Sequence, residues 1–129
     1  MILLDTHVWI WLLNGDAKLT ERHVRAISDN KGSGLGVSVI SCWEVAQLVS
    51  HKRMTFAVPV LKWVEAALTY PNLSLLPLTP EIAVESTQLP EEFHRDPADR
   101  FLVATARAHN CPILTDDARI IAYAGVRKA

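Results

Sequence analysis

The stretch Ile2-Leu3-Leu4-Asp5-Thr6-His7-Val8-Trp9-Ile10-Trp11-Leu12-Leu13 decides how the chain is to be read. Three aliphatic residues end in a carboxylate, and an apolar segment follows at once. The first run has the length of a short buried strand. The second, Thr6–Leu13, is too apolar for a surface helix and is closed by Asn14-Gly15-Asp16. A strand that passes through an acid straight into a helix is the beginning of a βα unit. Asp5 interrupts apolar sequence between Leu4 and Val8, where an ionised group is expensive unless it is paired or bound to a cation.

Working outward, the same alternation repeats. Thr20–Asp29 has the periodicity of an amphipathic helix, with Val24 and Ile27 expected to face inward. Gly36–Ile40 is a β-branched run, expected as a buried strand. Ser41–His51 is helical, with Val45, Leu48 and Val49 on one face. A helix begins near Pro59 with Leu61, Val64 and Leu68 as its buried stripe, and Tyr70-Pro71-Asn72 ends it. Ser74–Leu76 is a third short strand, Pro80 and Pro90 bracket a further helix, and Asp96-Pro97 opens Ala98–His109. Pro112–Thr115 is a fourth strand, Asp116–Tyr123 a last helix, and Val126 begins an edge strand. Strands alternating with helices predict an α/β fold, a three-layer α/β/α sandwich around a central, mainly parallel sheet.

Composition sets the outer bounds. The 129 residues suit one domain, residues 1–129, and 50% hydrophobic with 21% charged residues excludes a disordered chain. The longest strictly apolar run, Val8–Leu13, is far too short to span a bilayer, and no secretory signal is visible. Two cysteines without a CxxC pattern argue against a disulfide scaffold or zinc ribbon and fit a reducing cytoplasm. The net charge of −1 is not that of a protein that coats nucleic acid by charge alone. Committing several acids to metal, however, would leave the remainder net basic.

The acids fall at comparable places. Asp5 ends the first strand, Glu44 follows the second, Asp96 and Asp99 bracket a helix start, and Asp116 and Asp117 follow the fourth strand. Each has a structural explanation. Ser41 and Glu44 have capping-box spacing, Asp96-Pro97-Ala98-Asp99 is a strong helix start, and Thr115 suits an N-cap. In a parallel sheet, though, all strand C-termini share one edge, so acids from four βα junctions converge there. Two carboxylates about 5 Å apart repel by roughly 3 kcal/mol at an effective dielectric of ~20. Several such pairs would consume much of a typical stability of about 5–15 kcal/mol. A hard divalent cation removes the penalty, and an all-oxygen set suits Mg²⁺ or Mn²⁺ rather than zinc. A phosphoacceptor receiver domain would need paired acids after the first strand and a lysine after a late one, and neither is present.

Four segments carry a family resemblance. They are Ile2–Trp11, Val39-Ile40-Ser41-Cys42-Trp43-Glu44-Val45-Ala46, His94-Arg95-Asp96-Pro97-Ala98-Asp99-Arg100 with Phe101–Ala106, and Ile113-Leu114-Thr115-Asp116-Asp117-Ala118-Arg119-Ile120. In this order they resemble the acidic motifs of PIN-domain proteins, in particular VapC-type toxin ribonucleases of toxin–antitoxin pairs. The resemblance implies a metal-dependent endoribonuclease that uses metal-activated water and leaves 3′-hydroxyl and 5′-phosphate ends. It assigns Asp5, Glu44, Asp99 and Asp117 as catalytic, metal-binding acids, with Asp117 preferred to Asp116 as the fourth. Asp96, Asp116, Thr6 and Thr115 would support them. Arg95 and Arg100 are expected to contact substrate phosphates, and Lys52 and Arg53 to do so from a neighbouring subunit. The cofactor implied is Mg²⁺ (or Mn²⁺). The partners implied are an RNA substrate, a VapB-type antitoxin and a second copy of the chain. The alternative is a non-catalytic PIN-like binding module whose acids only cap helices. Cys42 stands where the family more often has a small residue, and the terminal Val126–Ala129 lacks the expected aromatic end.

Overall fold

A computed structural model describes all of residues 1–129. The strands are β1 (Ile2–Leu4), β2 (Leu35–Ser38), β3 (Leu73–Leu76) and β4 (Ile113–Leu114). Helices α1 (Thr6–Asn14) and α2 (Glu21–Asp29) lie between β1 and β2. Helices α3 (Val39–Ser50) and α4 (Val60–Ala67) lie between β2 and β3. Helices α5 (Pro80–Glu85) and α6 (Pro97–Ala108) precede β4, and α7 (Ala118–Ala122) follows it. The strands form one sheet in the order β3-β2-β1-β4, with every pair parallel. The last residues add a single parallel bridge, Ile113 to Lys128, so the expected edge strand is reduced to one rung while Val126 is buried in the core. No helix is long and apolar enough to cross a membrane.

Alternation along the strands divides the core into two layers, as the period of two requires. Ile2, Leu4 and Leu114 join Val8, Trp9, Ile27, Val45 and Ala67 on the α1–α4 face. Leu3 and Ile113 join Ile82, Leu102, Val103 and Ile120 on the α5–α7 face. Both cysteines are free. At Gly36 the Leu76 side chain packs onto the β2 backbone, since a Cβ there would lie 2.9 Å from Leu76 Cδ1.

Several expectations are corrected. The β2 strand ends at Ser38, and α3 starts at Val39 rather than Ser41, because Ser38 Oγ accepts the Ile40 N–H and caps the helix three residues before a Ser41 cap would. Ser41 and Glu44 therefore form no capping box. Val24 is 50% exposed, and α2 is buried through His23 and Ile27 instead. Leu61 is 65% exposed, and α4 packs through Trp63, Val64, Ala67 and Leu68. Trp9 is fully buried and meets Trp63 edge-on with ring centroids 5.2 Å apart.

These placements make opposite predictions for two apolar residues. Trp9→Ala is expected to lower stability by about 3–5 kcal/mol, whereas Val24→Ala changes it by no more than about 0.5 kcal/mol. Urea unfolding checks both, and a large loss on Val24→Ala would contradict the packing of α2.

Candidate active site at the C-terminal edge of the sheet

The strand order changes direction between β1 and β4, so the C-terminal ends of these two strands open a crevice. Asp5 follows β1 directly and is the N-cap of α1; its Oδ1 accepts the Thr6 N–H at 2.7 Å. Its Oδ2 accepts the Thr115 hydroxyl, from the end of β4, at 2.5 Å. Thr115 Oγ in turn accepts the Asp117 N–H at 2.9 Å. One hydroxyl thus ties the β4–α7 loop to the first acid. Thr115 does not cap α7 itself. Asp117 does, accepting the Arg119 and Ile120 N–H groups.

Glu44 sits on the sixth residue of α3, beyond reach of the free N–H groups at the helix start. Its Oε1 lies 2.5 Å from Thr6 Oγ, which lies 2.8 Å from the buried Ser41 Oγ. The single Thr6 proton serves one acceptor, so the arrangement is a short chain in which Thr6 donates to the carboxylate and accepts from Ser41. Asp99 occupies the first turn of α6, which Asp96 caps as the sequence predicts. Asp99 Oδ2 lies 3.0 Å from His94 Nε2 and 3.5 Å from an Arg119 nitrogen. Arg119 also pairs with Asp117 at 3.2 Å.

Asp5, Glu44, Asp96, Asp99, Asp116 and Asp117 all line one cavity of about 510 Å³, with Arg53 and Arg119 as its only arginines. The four acids expected to act together are therefore in one place. Asp116 is at the cavity wall but bound elsewhere, to Arg22 at 2.9 Å and His23 Nε2 at 2.6 Å. Because the Thr20 N–H donates to His23 Nδ1, the buried imidazole presents Nε2–H to Asp116. Sequence spacing could not separate Asp116 from Asp117; these contacts do.

The electrostatics follow from burial and crowding. Burial, and then the charges of Asp96, Asp5, Asp117 and Glu44, push Asp99 up to about 7. Glu44 is also raised to about 7, by burial above all, with Asp5 and Asp96 adding and the Thr6 hydrogen bond opposing. Burial raises Asp5 against the hydrogen bonds from Thr115 and Thr6. Asp117 goes the other way. Burial pushes it up, but the side-chain and backbone hydrogen bonds of Arg119 outweigh that and hold it below its ordinary range. Burial and Arg119 lower His94.

Two observations test whether a divalent cation fits. Ligand atoms of His94, Asp99 and Asp117 lie within 4.8 Å of one another. The Asp96 N–H donates to His94 Nδ1, which leaves the ring hydrogen on the buried Nε2, 3.0 Å from Asp99 Oδ2, so the ligands this arrangement offers are the carboxylates. Glu44 and Asp99, both raised to about 7 beside Asp5 and Asp117, are carboxyls whose crowding a divalent cation would relieve.

Two arginines are not where the sequence put them. Arg100 donates to the carbonyls of Ser86, Phe93 and His94, so it clamps the segment before α6 and is not free for phosphate. Arg53 lines the acid cavity of its own chain. Arg95 is exposed and lines no part of the cavity. His7, exposed, and Trp11 do line it. Sequence reasoning missed His94, Arg119, Ser41 and His23. The first three lie inside the acidic motifs, and only their spacing of two to five residues from an acid could have pointed to them.

Three comparisons bear on these observations. The sequence model described as PIN domain matches residues 2–126. The chain is 34% identical over 119 residues to the Mycobacterium tuberculosis protein named Ribonuclease VapC22, covering 92% of this chain and 88% of that one. The crystal structure of VapBC2 from Rickettsia felis, bound to a promoter DNA fragment, superposes with a TM-score of 0.73 at 14% identity, over 100% of this chain and 98% of that one. A toxin–antitoxin complex from Klebsiella pneumoniae superposes with a TM-score of 0.66 at 19% identity, over 98% and 95%.

The raised carboxyls fix the direction of a pH effect. A carboxyl with a raised folded-state value stabilises fully below the unfolded value near 4, and this contribution is lost as pH rises through about 7. In EDTA the melting temperature is therefore expected to fall between about pH 5 and about pH 8. Asp99→Asn should flatten that fall and raise the pH 8 melting temperature by about 3–8 °C. Parallel melting curves of the two proteins at both pH values would show that the acids do not crowd one another.

Proposed function

The chain belongs to the PIN-domain family, and on that premise we propose that it is a Mg²⁺- or Mn²⁺-dependent endoribonuclease of the VapC type, the toxin of a type II toxin–antitoxin pair. The observation that carries this reading is the convergence of Asp5, Glu44, Asp99 and Asp117 on one cavity, with Glu44 and Asp99 both raised to about 7. The helix-capping alternative explains Asp5, Asp96 and Asp117, which do cap helices. It does not explain Glu44 or Asp99, which cap nothing.

Asp5, Glu44, Asp99 and Asp117 would hold the cation, with the His94 ring beside Asp99. When bound, the cation polarises the scissile phosphate and makes water nucleophilic near neutral pH. The chain's own groups prepare that site. Thr115 fixes Asp5 and the loop of Asp117 together, and the Ser41–Thr6 pair fixes Glu44. With these hydroxyls engaged to carboxylates, no protein nucleophile is called on. Arg119 balances Asp99 and Asp117 and provides a fixed positive charge on the cavity wall for an incoming phosphate. Asp116, bound by Arg22 and His23, anchors the loop to α2. Asp96 sets the start of α6 and hence the position of Asp99.

A VapB-type antitoxin, a homodimer and a cytoplasmic location follow as parts of the same proposal. The similarity to Ribonuclease VapC22 supports the RNA substrate, and the Klebsiella pneumoniae complex supports a toxin–antitoxin assembly.

Antitoxin-free protein is expected to cut RNA in Mg²⁺ or Mn²⁺, to leave 3′-hydroxyl and 5′-phosphate ends, and to stop in EDTA. Glu44→Gln and Asp99→Asn should each reduce cleavage on the order of 100-fold or more. Mg²⁺ should raise the melting temperature of the wild-type protein and leave that of an Asp5→Asn, Asp99→Asn protein unmoved. Cleavage that persists in EDTA, or survives Glu44→Gln, would sink the assignment.

A further inference from the structure

A second groove of about 420 Å³ continues from the acid cavity along α3 and shares Glu44 and Asp96 with it. Its α3 wall is Trp43, Glu44, Gln47, Leu48 and His51, the spacing of one helix face. Trp43 is 52% exposed, immediately beside the acid, although Trp9 on α1 is fully buried. Arg53 lines both the groove and the acid cavity.

The position of Arg53 is imposed by how α3 ends. The Arg53 N–H donates to the Leu48 carbonyl at 2.9 Å and the Lys52 N–H to the Val49 carbonyl at 3.1 Å. This is a Schellman termination with Lys52 at φ 58°, a left-handed position where glycine is usual. The turn brings Arg53 back over Leu48, and both line the groove and the acid cavity. Six of the eight arginines bond a carboxylate or a carbonyl. Arg53 and Arg95 do not, and of these only Arg53 lines the cavity. A guanidinium beside six acids yet paired with none of them is left for an anionic ligand, and the adjoining aromatic face suits a base.

We propose that the groove along α3 is a single-stranded RNA subsite holding a nucleotide next to the scissile phosphate, with Arg53 gripping its phosphate and Trp43 stacking its base. This rests on the ribonuclease reading and adds to it a place for unpaired RNA. The distance from residue 43 to residue 51 along the helix is about 12 Å. Stacking on an aromatic face tolerates any base, so the subsite orients the strand more than it selects sequence. Continuity with the acid cavity favours RNA as the occupant over a protein segment, because the same strand must pass the acids to be cut.

The test uses full-length, antitoxin-free protein and a fluorescein-labelled pool of short single-stranded RNA. Binding is measured in Ca²⁺ by anisotropy across a salt series, and cleavage of the same pool is measured in Mn²⁺. Arg53→Ala is expected to weaken binding about 5–10-fold and to lower the salt slope by roughly 0.7, one phosphate contact on a single strand. Trp43→Ala is expected to weaken binding about 10-fold, with Trp43→Phe restoring most of it. Both should raise KM with little change in kcat, and both should melt with the wild type because neither side chain is buried. Unchanged RNA binding and salt slope in both variants overturn the subsite, and so does a loss confined to binding of the antitoxin, which would make this face a protein-docking surface. If the wild-type protein neither binds nor cuts the RNA, the ribonuclease reading fails and the subsite with it. If wild-type cleavage is sensitive to Glu44→Gln while the Trp43 and Arg53 variants behave as wild type, only the subsite fails.

Discussion

Thr115 Oγ donates to Asp5 Oδ2 across the β1–β4 pair, joining residues 110 positions apart at the point where the strand order reverses. The bond depends on parallel pairing of Leu3 with Ile113 and Leu4 with Leu114, which brings the two strand ends level. Once they are level, the loop of Asp117 is hung from Thr115 and that of Asp116 from His23. The candidate site therefore depends on register: a one-residue slip would turn these side chains to the other face of the sheet.

The interaction also explains why acids can gather here in the absence of a cation. Neutral hydroxyls and backbone N–H groups satisfy Asp5, Thr6 serves Glu44, and Arg119 serves Asp99 and Asp117. These partners are not sufficient to hold Glu44 and Asp99 at ordinary carboxylate values, since both are raised to about 7. The remaining imbalance is what a divalent ion would relieve. On the proposed reading, affinity for the ion and instability without it would have one source, as is common where a fold stores unfavourable charge at a working site.

The helix starts show how far a local signal can be trusted. Asp96-Pro97 was legible because an N-cap carboxylate followed by proline has few other uses, and the structure places α6 there. The start of α3 was not, because Val39 and Ile40 read as strand and Ser41 with Glu44 has capping-box spacing; the sheet ends at Ser38, which caps the helix instead. That shift of the cap by three residues moved Glu44 from the first turn into the helix body, which removes its structural explanation. Val24 and Leu61 fit the helical period but face solvent, since a period locates a stripe without fixing which neighbour covers its margin. Arg100 was read as a phosphate contact from its nearness in sequence to Asp99, yet it points to the opposite partner set, three carbonyls of the preceding segment.

By itself the sequence determined the alternation of strand and helix, the acids that follow β1 and β4 and open α6, and the family motifs, because these rest on short-range hydrophobic period and helix-end chemistry. Only the tertiary structure decided that Asp117 rather than Asp116 faces Asp99, that His94 and Arg119 belong to the site, and that Arg53 turns back toward the acids of its own chain. Those outcomes depend on strand order and on how a helix ends against its neighbours. Both are contacts between distant parts of the chain, which no local pattern of residues encodes.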